Sequence, residues 1–458
     1  MTMIAPARLV SYRILSQIAA SDAHSDDLLR SPEVNALSPR DRDLTTTLVL
    51  GTLRWQLALD ARIRSLLARP NANLSVEAAT ALHMGAYQLL HLDRVPAHAV
   101  IHDSVELVKL SPERAAAGMV NALLRKIQRS ASSVRRSEEL GQGTAAVAAS
   151  TAHPAWMVER WTRRYGRKSA EAICQWDQEP AGITIRLAEP KAELPGIETQ
   201  PGAFLRAARR VIRGEVVRSA PFRAGQVRIQ DEASQLVAEI AAAASPQAKG
   251  VLDTCAAPGG KTAILAERLP EANITAIDVS RRRLDAMRAT MPAPITERLR
   301  FEVADAANLQ LKPEWDLILC DVPCSGTGTM ARNPEIRLRI HEADLKRQHE
   351  RQVSILRAAA TGLKPGGRLV YSTCSLEPEE NEDVVTEVLR TVAGLGLVSI
   401  EGILDQLAEH GRVSAEGRER LRTATDDGFL RTLPGVHPCD GFFAALIERR
   451  ISTPADCG

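Results

Sequence analysis

The chain has 458 residues, 45% hydrophobic and 25% charged, with 58 Lys and Arg against 56 Asp and Glu for a formal net charge of +2. At roughly 100–200 residues per domain this length calls for two to four cores, and the composition is that of a soluble globular protein rather than a disordered one. No run of about 18 apolar residues that could span a bilayer is present. Seven cysteines, an odd number without CxxC spacing, exclude a disulfide framework and a structural zinc site and point to a reducing, cytoplasmic setting.

The first 20 residues have a weakly signal-like look, but Arg8 and Arg13 interrupt the apolar stretch and leave an amphipathic helix. Apolar stripes at helical spacing follow to about residue 130: Val10, Ile14 and Ile18; Ile101, Val105 and Val108; Val120, Leu123, Leu124 and Ile127. An all-helical domain over 1–130 is therefore expected. From Ser130 to Thr151 the period is lost and Ser, Gly and charge accumulate, which predicts a linker over 131–154. Residues 155–235 mix a Trp- and Arg-rich helix with short β-like runs such as Gly182–Leu187, the pattern of a small α+β module. Within it, Arg206, Arg209, Arg210, Arg213, Arg218, Arg223 and Arg228 stand against a single acid, Glu215, a density that suits a phosphate backbone or a solvated surface equally.

Over 236–450 short β-prone runs alternate with helical stretches: Val251–Thr254, Ile274–Asp278, Arg300–Ala304, Asp316–Asp321 and Arg368–Ser372, with Gly441–Glu448 as a late strand. This alternation predicts an α/β fold with a doubly wound, mostly parallel sheet. Asp253–Thr262, DTCAAPGGKT, follows the first of these strands and opens a helix, so its small residues let backbone approach a ligand at a helix N-terminus. It is neither a Walker A loop nor a GxGxxG fingerprint, which disfavours NTP and NAD. Asp278 ends the second strand, where an acid can bind ribose hydroxyls; Asp305 and Asp321 end the third and fourth. Any one such acid could equally be a helix cap.

Cys324, in DVPCSGTGT, and Cys374, in STCSLEPEEN, each follow a strand in a polar loop and should face the same crevice. An isolated cysteine is usually a small buried hydrophobe, but two thiols so placed point to chemistry. Methylation at C5 of cytosine requires such a thiol: the ring carbon becomes nucleophilic only after a thiolate adds at C6. An acidic group near N3 or N4 of the base is also required, and Asp321 is placed for it. Only one thiol is needed, and either cysteine qualifies on chemistry alone.

The motifs DTCAAPGGKT, AIDVS, DVPCSGTGT, KPGGRLVYSTCS with LEPEEN, and DGFFAAL, in this order, resemble the RNA cytosine-5 methyltransferase family of bacterial Sun (Fmu) proteins. SPRDRDLTTTLVLGTLRW, LHMGAYQLLHLDRVPAHAVIHDSVELVK and GMVNALLRKI resemble the NusB-type RNA-binding helical domain carried by rRNA-directed members. The resemblance implies a Rossmann-like methyltransferase domain with a seven-stranded sheet and S-adenosylmethionine as cofactor. Its methionine end would lie on Cys255, Ala256, Ala257, Pro258, Gly259, Gly260 and Lys261, its ribose on Asp278, and its adenine by Asp305. It further implies Cys374 as the C6 nucleophile, Cys324 in product release, and Asp321 both against the target base and among the cofactor-binding residues. Ala331–Ile340 matches a basic family segment, with Asn333 and Leu338 where His and an aromatic are common.

The implied substrate is a cytosine of 16S rRNA, taken as naked RNA or an early assembly intermediate because C5 chemistry needs the base out of its stack. The middle module is expected to contact RNA, and the protein to act as a monomer. Two other readings compete: a tRNA-directed enzyme of the same chemistry, and a non-catalytic NusB-like binding protein. DNA is disfavoured because Pro-Cys-Gln and Glu-Asn-Val signatures are absent.

Overall fold

The computed structural model describes residues 4–134, 143–190 and 192–451. The chain forms two compact units, Met1–Pro180 with Met330–Ile340, and Ala181–Thr329 with His341–Gly458. Among the described residues no helix is long and apolar enough to cross a membrane, and no cluster of His, Cys, Asp or Glu could hold a metal ion.

The first unit is helical. Helices Pro6–Ala20, Pro39–Leu66, Val76–His91, Ala97–Lys109 and Ala117–Val134 bury the expected stripes, with Val10, Ile14, Ile18, Ile101, Val108, Val120, Leu124 and Ile127 in one core. Ser38 and Ser75 cap two of these helices, accepting hydrogen bonds from the amides of Asp41 and Ala78. Gly51 lies against the Tyr87 ring with no room for a side chain, so two helices approach closely there.

Two sequence expectations change here. The predicted linker contains a helix, Thr144–Ser150, while residues 135–142 lie outside the described residues. The predicted module over 155–235 divides at residues 180 and 181. Its helices Ala155–Tyr165 and Arg167–Trp176 join the helical unit, because Met157, Val158, Trp161, Ala170, Ile173 and Cys174 form apolar stripes that are buried there. Trp161 is 1% exposed and belongs to the core.

The second unit begins with strands β1 (Thr184–Leu187), β2 (Glu198–Pro201), β3 (Ala208–Arg213) and β4 (Val227–Ile229), an antiparallel sheet of order β2-β3-β1-β4. A nine-stranded sheet follows, made of β5 (Gly250–Asp253), β6 (Asn273–Asp278), β7 (Leu299–Val303), β8 (Trp315–Asp321), β9 (Leu363–Thr373), β10 (Leu395–Val398), β11 (Thr425–Asp426), β12 (Phe429–Thr432) and β13 (Phe442–Arg449). Its order is β11-β12-β13-β9-β8-β5-β6-β7, with β10 also paired to β13. The five strands from β7 to β9 are parallel and the rest antiparallel. Seven strands were expected; the surplus lies among β10, β11 and β12, which are two to four residues long and too short to show alternation.

The sheet is covered on both faces, which is why its central strands read as continuous apolar runs. Alternate residues part: Leu317 and Leu319 join the core with helices Glu232–Ala244, Gly260–Arg268 and Glu401–Glu409. Ile318 and Cys320 join the one with Asp344–Thr361 and Glu382–Thr391. The order reverses between β5 and β8, so the crevice beyond their carboxyl ends is where such a sheet binds ligands.

Candidate active site

Four loops converge on that edge, following β5, β6, β8 and β9. After β5 the chain passes through Cys255–Lys261 into the helix Gly260–Arg268, with Gly259 at φ 103°, where only glycine is unstrained. Asp253, fully buried at the strand end, accepts a 2.7 Å hydrogen bond from Thr262, and burial pushes its pKa up to about 7. Cys255 is half-buried with its pKa held well above the usual thiol range by burial. Asp278, at the end of β6, accepts from the amides of Ala257 (3.3 Å) and Ser280 (2.9 Å) and pairs with Arg283 at 3.1 Å. A buried acceptor carboxylate beside a glycine-bearing turn at a helix N-terminus is a donor and acceptor set that fits a nucleoside with free ribose hydroxyls. Asp305 is exposed and caps the short helix Ala306–Asn308, accepting from the amide of Ala307 and the side chain of Asn308.

Asp321, the last residue of β8, is held from two sides: Lys261 Nζ lies 2.7 Å from Oδ2 and Ser372 Oγ donates to Oδ1 at 2.8 Å. The Lys261 ammonium also sits 4.9 Å from the Phe442 ring centroid. Three residues beyond Asp321, Cys324 Sγ is 3.4 Å from Cys374 Sγ, both half-exposed. The Cys324 thiol is pushed well above its ordinary range, first by its hydrogen bond with Cys374 and then by burial. Cys174, Cys320 and Cys439 are buried, and the thiols of Cys174 and Cys320 are pushed up to about 12 by burial, so they are inert core groups. Cys457 lies outside the described residues.

The glycines of two motifs have a packing reason. A side chain on Gly328 would strike the carbonyls of Gly441 and Cys374, and one on Gly441 would meet Leu376 and Gly328. The loop bearing Cys324 and the start of β13 thus touch backbone to backbone, with Gly441 N donating to Gly328 O and Gly328 N to Cys374 O.

In the basic segment after this loop, two arginines and a glutamate serve the fold. Residues 330–340 belong with the helical unit, where Glu335 is buried and accepts from Ser25 N (2.8 Å) and Oγ (2.9 Å). Arg337 donates to the carbonyls of Arg54, Thr151, Ala152 and Asp177, and Arg339 to those of Ile18, Ser21, Asp22 and Ala23. Their guanidinium groups are committed to the fold, and Leu338 packs on the helical core. Of the arginines from 206 to 228, Arg206, Arg210, Arg213, Arg218 and Arg223 are exposed, but Arg228 is an ion-pair partner of Glu267. Ser372 and Phe442 lie inside quoted motifs but, like Arg283 outside them, were given no role of their own; they became visible through their distances to Asp321, Lys261 and Asp278.

An open sheet of this order, with a glycine-bearing turn after its first strand and an acid closing the second, defines a Rossmann-like methyltransferase unit. Residues 241–448 match the family model described as 16S rRNA methyltransferase RsmB/F, and residues 5–129 match that of the NusB family. The probable ribosomal RNA small subunit methyltransferase B of Bacillus subtilis is 31% identical, aligned over 97% of this chain and 98% of its own. Ribosomal RNA small subunit methyltransferase B of Xanthomonas campestris is 32% identical over 96% of each. The crystal structure of PH0851 covers 97% of this chain and 99% of its own with a TM-score of 0.78 at 22% identity, a likeness of fold. The chain belongs to the ribosomal RNA small subunit methyltransferase B family.

Proposed function

We propose that this protein methylates C5 of a specific cytosine in 16S rRNA, with Cys374 adding to C6 and Cys324 serving release. The observation that carries the reading is the pair of sulfurs 3.4 Å apart beside the Lys261–Asp321 pair. S-adenosylmethionine supplies an electrophilic methyl group, and Cys255–Lys261 and Asp278 would hold it, with Asp305 toward the adenine. Cys374 forms the S–C6 bond, and the electron pair of the C5=C6 bond moves to C5, which takes the methyl group. A base, the role in release assigned here to Cys324, then takes the C5 proton; the C–H electron pair re-forms the C5=C6 double bond as the S–C6 bond breaks and the Cys374 thiolate leaves.

The two sulfurs are within hydrogen-bonding reach of each other, so a cytosine held by one lies beside the other, and the division of labour, attack by Cys374 and release by Cys324, is the one that the family resemblance implies. Asp321, oriented by Lys261 and Ser372, is suited to contact the cytosine edge where charge develops during attack. RNA affinity would come from the exposed arginines of 206–223, since 4 Tyr, 5 Trp and 6 Phe offer little for stacking.

The test is a denaturing gel of the Cys324→Ala protein with S-adenosylmethionine and a 16S rRNA transcript, with and without Cys374→Ala. An adduct that disappears in the double variant is the expected result; an adduct on tRNA alone would replace the substrate, and none on any RNA would favour a binding protein. Free rRNA should be methylated in preference to intact small subunits, and equal labelling would refute the early-assembly substrate.

A further inference from the structure

One buried carboxylate ties the two cysteine loops together. Glu380 is 0% exposed. Its Oε1 accepts from the amide of Ser325 (2.8 Å) and from Gln352 Nε2 (3.0 Å), and its Oε2 from the hydroxyls of Ser325 and Ser375. The same Gln352 amide group donates to the carbonyl of Pro323 at 3.0 Å. Ser325, which follows Cys324, and Ser375, which follows Cys374, are therefore fixed to one carboxylate, and Pro323, which precedes Cys324, is tied to it through Gln352. Glu380 is itself pinned: its carbonyl accepts a 2.6 Å hydrogen bond from the buried Tyr371 hydroxyl of β9.

Cys374 has a second, separate support. Asn381 accepts from Thr373 Oγ1 at 2.5 Å and donates to the carbonyl of Ser375 at 2.9 Å, bracketing Cys374 on both sides without Glu380. The loop of Cys374 also continues directly from β9, whereas residues flanking Cys324 rely on Glu380 and Gln352. A carboxyl in this position is costly unless every oxygen is satisfied, and here the donors that satisfy it are the neighbours of the two thiols.

We infer that Glu380 is a positioning residue that sets the separation of the two thiols, and that the release function of Cys324 depends on it more than the attack by Cys374. This rests on the roles proposed above. Loosening the clamp displaces Cys324 first, so the adduct still forms but is resolved slowly. A defect that merely lowered the folded fraction would reduce attack and release together and leave no adduct.

The experiment compares Glu380→Gln, Ser325→Ala and Cys324→Ala with the native chain, measuring turnover, adduct on a denaturing gel with the 16S rRNA transcript, and melting temperature. Glu380→Gln keeps the shape and one acceptor oxygen; its turnover should fall on the order of 10²-fold, as a misplacement of about 1 Å can cost. Adduct should accumulate although both cysteines are present, and vanish when Cys374→Ala is added. Ser325→Ala, which removes one hydroxyl, should show the same pattern with a loss of roughly tenfold, and decides the matter if Glu380→Gln fails to fold. Native turnover, or lost turnover without adduct, in folded variants while Cys324→Ala does trap RNA would overturn the inference. Failure of Cys324→Ala itself to trap RNA would instead overturn the assigned thiol roles, and the inference with them.

Discussion

Lys261 Nζ lies 2.7 Å from Asp321 Oδ2, joining the glycine-bearing turn after β5 to the end of β8. The pair links the cofactor loop to the residue expected at the target base, and Ser372 fixes the other carboxylate oxygen. Asp321→Asn keeps the shape but removes the charge that orients Lys261. Methyl transfer should fall on the order of 10²–10³-fold, as when a preorganised electrostatic group is lost, while S-adenosylmethionine binding changes by no more than a few-fold. Single-turnover assays with calorimetric cofactor binding check this; a parallel loss of both would place Asp321 in cofactor binding instead.

Gly259→Ala should act at the cofactor turn. With φ at 103° and a new methyl group about to meet Met287 Cγ at 2.7 Å and Met291 Cε at 2.6 Å, the turn must shift. Strain of that kind is about 1–3 kcal/mol, and most of it should appear as weaker cofactor binding, roughly tenfold or more, because the neighbouring turn forms the site. Titration calorimetry on the folded variant, well below its lowered melting temperature, would show it, and unaltered affinity would mean the cofactor does not use this turn.

How much could be read in advance follows from how local each signal is. The strand ends at Asp253, Asp278 and Asp321 were legible because each strand is an apolar run closed by an acid, and β5 to β9 and β13 fall within a few residues of their expected bounds. The nearness of Cys324 to Cys374 followed from two loops leaving adjacent parallel strands, β8 and β9. Glu380 and Gln352 were not legible as a clamp, because their partners are 55 and 28 residues distant and no spacing rule encodes that pairing. The burial of Arg337 was not legible for a related reason: the carbonyls that enclose it, of Arg54, Thr151, Ala152 and Asp177, are distant in sequence.

Arg337 is fully buried and donates to four backbone carbonyls of the helical unit, and burial lowers its pKa to about 10. Arg337→Met removes a donor from all four carbonyls, of which those of Thr151 and Asp177 keep another from Gln178 and Arg54, and should destabilise the unit by about 1–3 kcal/mol. Arg337→Lys, with a compact ammonium in place of a planar fork, should restore only part of this. Urea unfolding followed by tryptophan fluorescence measures both. Stability within about 0.5 kcal/mol of native, the range of ordinary surface substitutions, would contradict the structural role.

His153 supplies a pH dependence with a definite sign. It is buried beside Asp177 (3.3 Å) and Thr151 (3.1 Å), and its pKa falls from 6.5 to about 4, chiefly through burial and secondarily through the charge of Arg337. Between these values the unfolded chain binds a proton that the folded chain does not, so stability is full above pH 6.5 and is lost as pH falls toward 4. The shift corresponds to about 3 kcal/mol. Urea midpoints of the helical unit should therefore drop steeply from pH 6.5 to 4.5, and His153→Gln should remove about one proton from that slope. In Arg337→Met the titration of His153 should move upward, because a repelling charge has gone; an unchanged slope in His153→Gln would assign the acid sensitivity to other groups.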